Sequence, residues 1–183
     1  MLHLSKMISS RNPNGYGKTS RILAIDPGTR IMGYADFSNA ELVDYGIRYF
    51  SPCRRIEQLL DEVELVIKRL ILEKQPEVVI LEKTGFSQIT NNVRLTLVST
   101  RIRTVARRLR IRSVEYSPKT IRTKVSNDGF STKADIAKII VSKHPEMRLL
   151  IRNQTPSAQK LFFNITDAIA CGHAYLDDKS SSV

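Results

Sequence analysis

The chain has 183 residues, 42% of them hydrophobic, and carries 29 Lys and Arg against 18 Asp and Glu, for a formal net charge of +11. That length and apolar content exclude a disordered chain and support one globular domain with a substantial core. The charge points to an anionic partner, and nucleic acid is favoured over a membrane because no apolar run reaches spanning length and no amphipathic anchor stands out.

Residues 1–20 contain Lys6, Arg11 and Lys18, no acid, and many Ser, Asn and Gly, so they are expected to be a flexible basic arm. The acid-poor start has a slight presequence character, against which stand its few basic residues and weak amphipathicity. Gly15-Tyr16-Gly17-Lys18-Thr19 has the look of the end of a phosphate-binding loop, but Asn12 stands at the first glycine position and the segment precedes a strand. No nucleotide cofactor is expected. From Arg21 the pattern predicts strands at 21–26, 32–38 and 41–50, with turns at Pro27-Gly28 and Ser38-Asn39, a three-stranded meander. Residues 54–73 then place Ile56, Leu59, Leu60, Val63, Val66, Ile67, Leu70 and Ile71 at helical spacing, so an amphipathic helix covers one face of the sheet.

The short run Val78–Leu81 follows Pro76 and is too brief for a helix, which makes it a buried parallel strand closed by Glu82. A second crossover follows: a helix over 91–109, then a strand over 111–116. Pro118 opens another helix after Ser117, Ser131-Thr132 caps a helix at 133–143, and Ser157 opens the last one toward Tyr175. The fold class is therefore α/β, with a five-stranded mixed sheet flanked by helices, one domain over 21–177 and a disordered tail at 178–183. Cys53 and Cys171 make no metal-binding spacing with His3, His144 or His173, and a reducing intracellular setting fits them best. The sequons at Asn153 and Asn164 are then chance matches.

Asp26 and Glu82 each end an apolar strand; if those strands are parallel neighbours about 4.8 Å apart, both carboxylates emerge into one crevice. Asp167 interrupts an otherwise apolar helical run, and Asn164 lies three residues earlier on the same face. Taken singly, each acid has an ordinary explanation as a turn residue, a strand end or an ion-pair partner. Together, crowded acids need a hard divalent counter-ion with oxygen ligands. Two such ions can activate water and steady the leaving oxygen of a phosphodiester, so hydrolysis of nucleic acid is the expected chemistry.

Ile22-Leu-Ala-Ile-Asp-Pro-Gly-Thr-Arg-Ile-Met-Gly-Tyr34, Val79-Ile-Leu-Glu82 and Asp167-Ala-Ile-Ala resemble the motifs of RuvC-type Holliday junction resolvases, over roughly residues 21–177. The resemblance implies a ribonuclease H-like fold, a homodimer, two Mg2+ ions per site with Mn2+ as substitute, and paired nicking of four-way DNA junctions. By position it makes Asp26, Glu82 and Asp167 the catalytic and metal-binding acids, with Asn164 a fourth metal ligand where the family usually has an acid or, in some members, histidine. Lys133 and Arg122 match basic residues that approach DNA at the family's site, Arg122 standing where lysine is usual. Lys124, beside Arg122, is grouped with them. Phe86 resembles an aromatic inserted near the junction centre, one residue further from the Glu than is usual. A branch-migration complex is an implied partner that no residue here identifies.

No acid stands between Glu82 and Glu115, while eight Lys and Arg do, so a basic face contacting phosphate through Arg101, Arg107 and Arg108 is expected. The apolar stripe of the same helix is core, with a stretch available to a second subunit. Two rivals remain: a junction-binding protein whose chemistry has decayed through Asn164, and a ribonuclease H-like nuclease acting on flap DNA or structured RNA. The setting expected is intracellular and DNA-associated, in a bacterial nucleoid before an organelle or an infected host.

Overall fold

The computed structural model describes residues 20–52, 55–83, 89–150 and 155–181. Strands β1 (Arg21–Asp26), β2 (Ile31–Ser38), β3 (Glu41–Tyr49), β4 (Val78–Glu82) and β5 (Arg112–Tyr116) form one sheet of order β3-β2-β1-β4-β5. The meander β1-β2-β3 is antiparallel, whereas β4 runs parallel to β1 and β5 parallel to β4. Helices α1 (Ile56–Lys74) and α2 (Ile89–Arg108) make the two crossovers, and α3 (Pro118–Ser126), α4 (Lys133–Lys143) and α5 (Pro156–Ser180) follow.

Strict alternation along the central strands divides the core in two. Leu23, Ile25, Val79 and Leu81 bury against Leu59, Val63 and Ile67 of α1 and Val98 and Ile102 of α2. Ile22, Ala24, Val78 and Ile80 face the other way, onto Ala168, Cys171 and Ala174 of α5. Residues 166–172 of α5 are all buried, because the helix is sandwiched between the sheet and the α3–α4 pair. Its approach to the sheet depends on glycine: a Cβ at Gly33 would lie 2.0 Å from the Asn164 carbonyl oxygen, and one at Gly172 would lie 2.2 Å from the Phe37 ring.

The predicted elements are all present, with ends shifted by a few residues. The cap of α5 is Thr155, whose hydroxyl accepts from Ala158 N at 3.2 Å, so Pro156 and not Ser157 opens the helix. That helix also continues to Ser180, which corrects the expected disordered tail at 178–180. Asp178 there accepts from Tyr116 and pairs with Lys124 Nζ at 2.5 Å, tying the last turn to the domain. A 3-10 segment, Pro145–Leu150, was not foreseen; Met147 anchors it in the core. The arm expected at residues 1–20 lies, except for Ser20, outside the described residues. Among the described residues no helix is long and apolar enough to cross a membrane.

Candidate active site

The same alternation that divides the core aims Asp26 and Glu82. Asp26 continues the Ile22, Ala24 series and Glu82 the Val78, Ile80 series, so both carboxylates point to the α5 face. The β1–β4 register pairs Ile25 with Leu81, which sets the two acids side by side at the carboxyl ends of parallel strands. Gly33 is the register partner of Asp26 on the other side. Its missing side chain admits the Asn164 backbone and brings Asp167, one turn on, over the same edge.

Asp167 is only 8% exposed. Lys133 Nζ donates to its Oδ2 at 2.5 Å. Lys133 is the first residue of α4, after a Thr132–Asp135 capping box. A cation in the first turn opposes the helix dipole, so helix stability alone does not account for lysine there. Its side chain is 58% exposed while its ammonium reaches the buried acid, the amphipathic stem bridging surface and site.

Burial, and then the charges of Asp167 and Glu82, push the Asp26 carboxyl well above the ordinary range, with Lys133 pulling the other way. Glu82 is raised for the same reasons, burial first and Asp167 next, opposed by Lys133 and Arg122. Burial works against the charge of Lys133, but Asp167, Asp26 and Glu82 outweigh it and hold the ammonium above the usual lysine range. The edge thus gathers Asp26, Glu82, Asp167, Lys133 and Arg122 in one electrostatic unit. Among the described residues no three His, Cys, Asp or Glu side chains converge as a ready-made metal cage. The donor set still fits a hard divalent cation, being carboxylate oxygens crowded so that Asp167 and Glu82 raise the Asp26 carboxyl and Asp167 raises that of Glu82, and the single ammonium on Asp167 answers only part of that charge.

Asn164 lies over the edge through its backbone, but its amide nitrogen donates to Lys160 O at 2.9 Å, back along the helix and not toward the acids. Phe86 lies outside the described residues. Two members of the expected basic face of α2 are ion-paired within the fold. Arg101 pairs with Glu64 at 2.7 Å and Arg108 with the same Glu64 at 3.1 Å, so acids of α1 neutralise a run that is uniform in sequence. Arg107 is exposed, but α2 leaves the carboxyl end of β4 and spans about 30 Å, which puts its last turn at the opposite edge of the sheet. Lys124 bonds Asp177 and Asp178, about 15 Å down α5 from Asp167, and is a tether of that helix.

Two features of the site were missed. Gly33 was only one letter of a motif until its contact with α5 gave it a spacing role. Cys171, fully buried, lies beneath the acids, and its thiol is raised by burial and then by Glu82, Asp26 and Asp167. Away from the edge, His144 and His173 meet Nε2 to Nε2 at 2.8 Å across α4 and α5, a pairing that a separation of 29 residues hides in the sequence.

No family model matches the chain. Over 168 residues it is 30% identical to the RuvC crossover junction endodeoxyribonuclease of Chlorobaculum parvum, a match covering 85% of this chain and 80% of that protein. Thermus thermophilus RuvC, solved in complex with Holliday junction substrate, superposes with a TM-score of 0.69 at 14% identity, covering 88% of this chain and 96% of the other. The yeast mitochondrial Holliday junction resolvase gives a TM-score of 0.67 at 13% identity, covering 87% and 78%. These likenesses make the sheet and its helices a ribonuclease H-like fold.

Proposed function

The chain belongs to the family of RuvC crossover junction endodeoxyribonucleases, and on that premise we propose that the edge formed by β1, β4 and α5 is its phosphodiester-cleaving site. The protein is an endonuclease that resolves four-way DNA junctions. The observation that carries the site assignment is the electrostatic coupling of Asp26, Glu82 and Asp167, brought to one edge by two parallel strands and one helix, with Lys133 Nζ 2.5 Å from Asp167.

Asp26, Glu82 and Asp167 would hold two Mg2+ ions, with Mn2+ as substitute and Asn164 adding a neutral amide oxygen. Bound there, the ions would supply an activated water and stabilise charge on the leaving oxygen. Lys133 is the counter-ion of Asp167 in the absence of a substrate, and its exposed stem lets the ammonium turn to a phosphate oxygen. Arg122, close enough to act on Glu82, holds the neighbouring phosphate in a planar fork. Hydrolysis forms a bond from the water oxygen to phosphorus and breaks the bond to the leaving sugar oxygen, which takes up a proton. Symmetric nicks need two sites, and a homodimer is supported by Val93 and Leu97, which leave α2 with an apolar stripe 59% and 38% exposed. Work on chromosomal or other intracellular DNA, with a branch-migration motor, follows from the same family reading.

The test uses a labelled four-way junction in Mg2+, Mn2+ or EDTA, with Asp26→Asn as control and linear duplex as competitor. Paired nicks that need metal and vanish in the variant are the expected result. Tight junction binding without product in either metal would overturn the nuclease assignment and point to Asn164, with Asn164→Asp as the repair.

A further inference from the structure

Between α3 and α4 the chain makes a turn, residues 127–132, that is stitched to itself and packed on α3. Ser126 Oγ bonds the Arg122 carbonyl at 2.7 Å and the Asp128 carbonyl at 2.8 Å, and Asp128 Oδ1 accepts from Phe130 N at 2.9 Å. Ser131 Oγ donates to Ser126 Oγ at 2.8 Å. A Cβ on Gly129 would lie 2.9 Å from Thr123 Oγ1, so glycine lets the turn sit on the helix and leaves its neighbour's ring pointing outward. That ring, Phe130, is 88% exposed, more than any other exposed large hydrophobic among the described residues.

Phe130 stands three residues before Lys133, whose ammonium is on Asp167, so its Cα lies within about 11 Å of the Lys133 Cα. Arg122 lies at the other end of the same stitched segment. Along the chain the ring therefore stands between the two cations placed on phosphates, on an exposed turn that leads into the acidic edge through Lys133. A protein partner is a poor fit, because one ring on a polar turn offers far less than the roughly 1,000 Å² a stable interface buries. The other exposed large hydrophobics lie on α1, α2, β3 and the Leu149–Leu150 end of the 3-10 segment.

We infer that Phe130 is a base-stacking residue that selects branched DNA, by taking the face of a nucleobase left unstacked beside the strand presented to the acids. The inference rests on the junction-cleaving reading above and deepens it. Phosphate contacts from Arg122 and Lys133 position a strand but do not distinguish a branch from linear duplex. In duplex, base faces are covered by their neighbours; where strands exchange, a face can be offered to an aromatic ring, and stacking on it is indifferent to base identity.

The experiment uses the full chain and exploits its lack of tryptophan. Phe130→Trp introduces one fluorophore at the turn, titrated in EDTA with a four-way junction or with linear duplex. Saturating junction is expected to quench that emission strongly and duplex to quench it far less. Phe130→Ala is expected to weaken junction binding about 10-fold and duplex binding less than about threefold, with Phe130→Trp within about threefold of the parent on the junction. Unquenched emission at saturation, or equal effects of Phe130→Ala on the two DNAs, would overturn the inference while leaving the nuclease reading intact. Absence of junction preference in the unaltered protein would instead remove both.

Discussion

Strand β1 carries a charge at each end, and the two ends treat a buried carboxylate in opposite ways. At its start, Arg21 pairs with Asp36 at 2.9 Å; Asp36 is 1% exposed, and burial lifts its carboxyl to about 6 despite Arg21 and Lys74 pulling it down. At its end, Asp26 has acids as its nearest charged neighbours, and they add to the lift that burial begins. One end matches each acid to a base within the fold. The other leaves acids facing acids, with Lys133 and Arg122 offsetting only part of the burial and mutual repulsion, an arrangement that costs stability and is relieved by a cation from outside. A carboxylate among bases holds structure, whereas a carboxylate among carboxylates is kept for chemistry.

Asp26→Asn is the strongest way to separate the two ends. Nicking of the junction is expected to fall by at least about 1,000-fold, since several kcal/mol of transition-state stabilisation pass through this position. Folding is expected to move the other way. Asp26 has its folded pKa raised, so its contribution favours the native state while protonated and is lost as pH rises through that value. The neutral amide removes the loss and should raise stability by about 1 kcal/mol at neutral pH. Mg2+ should raise the melting temperature of the parent and much less that of the variant, by the usual linkage to binding. A variant that is inactive and also less stable would show that Asp26 is held by structure like its counterpart at the other end.

Arg21→Met reverses the comparison by leaving Asp36 buried without its base. The expected loss is about 2–3 kcal/mol, at the low end for a broken buried pair because the Arg21 side chain is 34% exposed. The sign of its pH dependence follows from Asp36: with a folded value of about 6 against an ordinary 3.8, its contribution is full below the ordinary value and lost as pH rises through 6. Without Arg21 the folded value climbs further, so denaturant melts should show a larger deficit near pH 8 than near pH 5. Equal deficits at both would mean that Asp36 does not carry the charge.

The edge was legible in the sequence because its determinants are short-range. Period-two alternation in β1 and β4 fixes the face of Asp26 and Glu82, and an acid inside the apolar run of α5 marks itself. What stayed hidden is tertiary. The row of arginines in α2 looked like one basic surface because Glu64, which takes two of them, lies on a different helix. Asn164 lay on the correct turn of α5, yet its amide follows a local bond to Lys160 O that sequence spacing does not encode. The grip of Lys124 on Asp177 and Asp178 likewise depends on how α3 crosses α5.

The cations repeat the contrast of the two ends of β1, and give the smallest of the expected effects. Arg108 is bonded to Glu64 at 3.1 Å and is 63% exposed at the far end of α2, whereas Arg122 acts on Glu82 at the acidic edge. If the edge receives the scissile strand, Arg122→Ala removes about one phosphate contact and should lower the slope of log affinity against log salt by about 1. Arg108→Ala should leave that slope within about 0.3, because its charge is already answered by α1 and sits about 30 Å of helix away from where α2 begins. Junction binding measured across a salt series decides between them. A larger slope change from Arg108 than from Arg122 would move the DNA from the carboxyl edge of the sheet to the α1–α2 face, and with it the assignment of Lys133 as a phosphate contact.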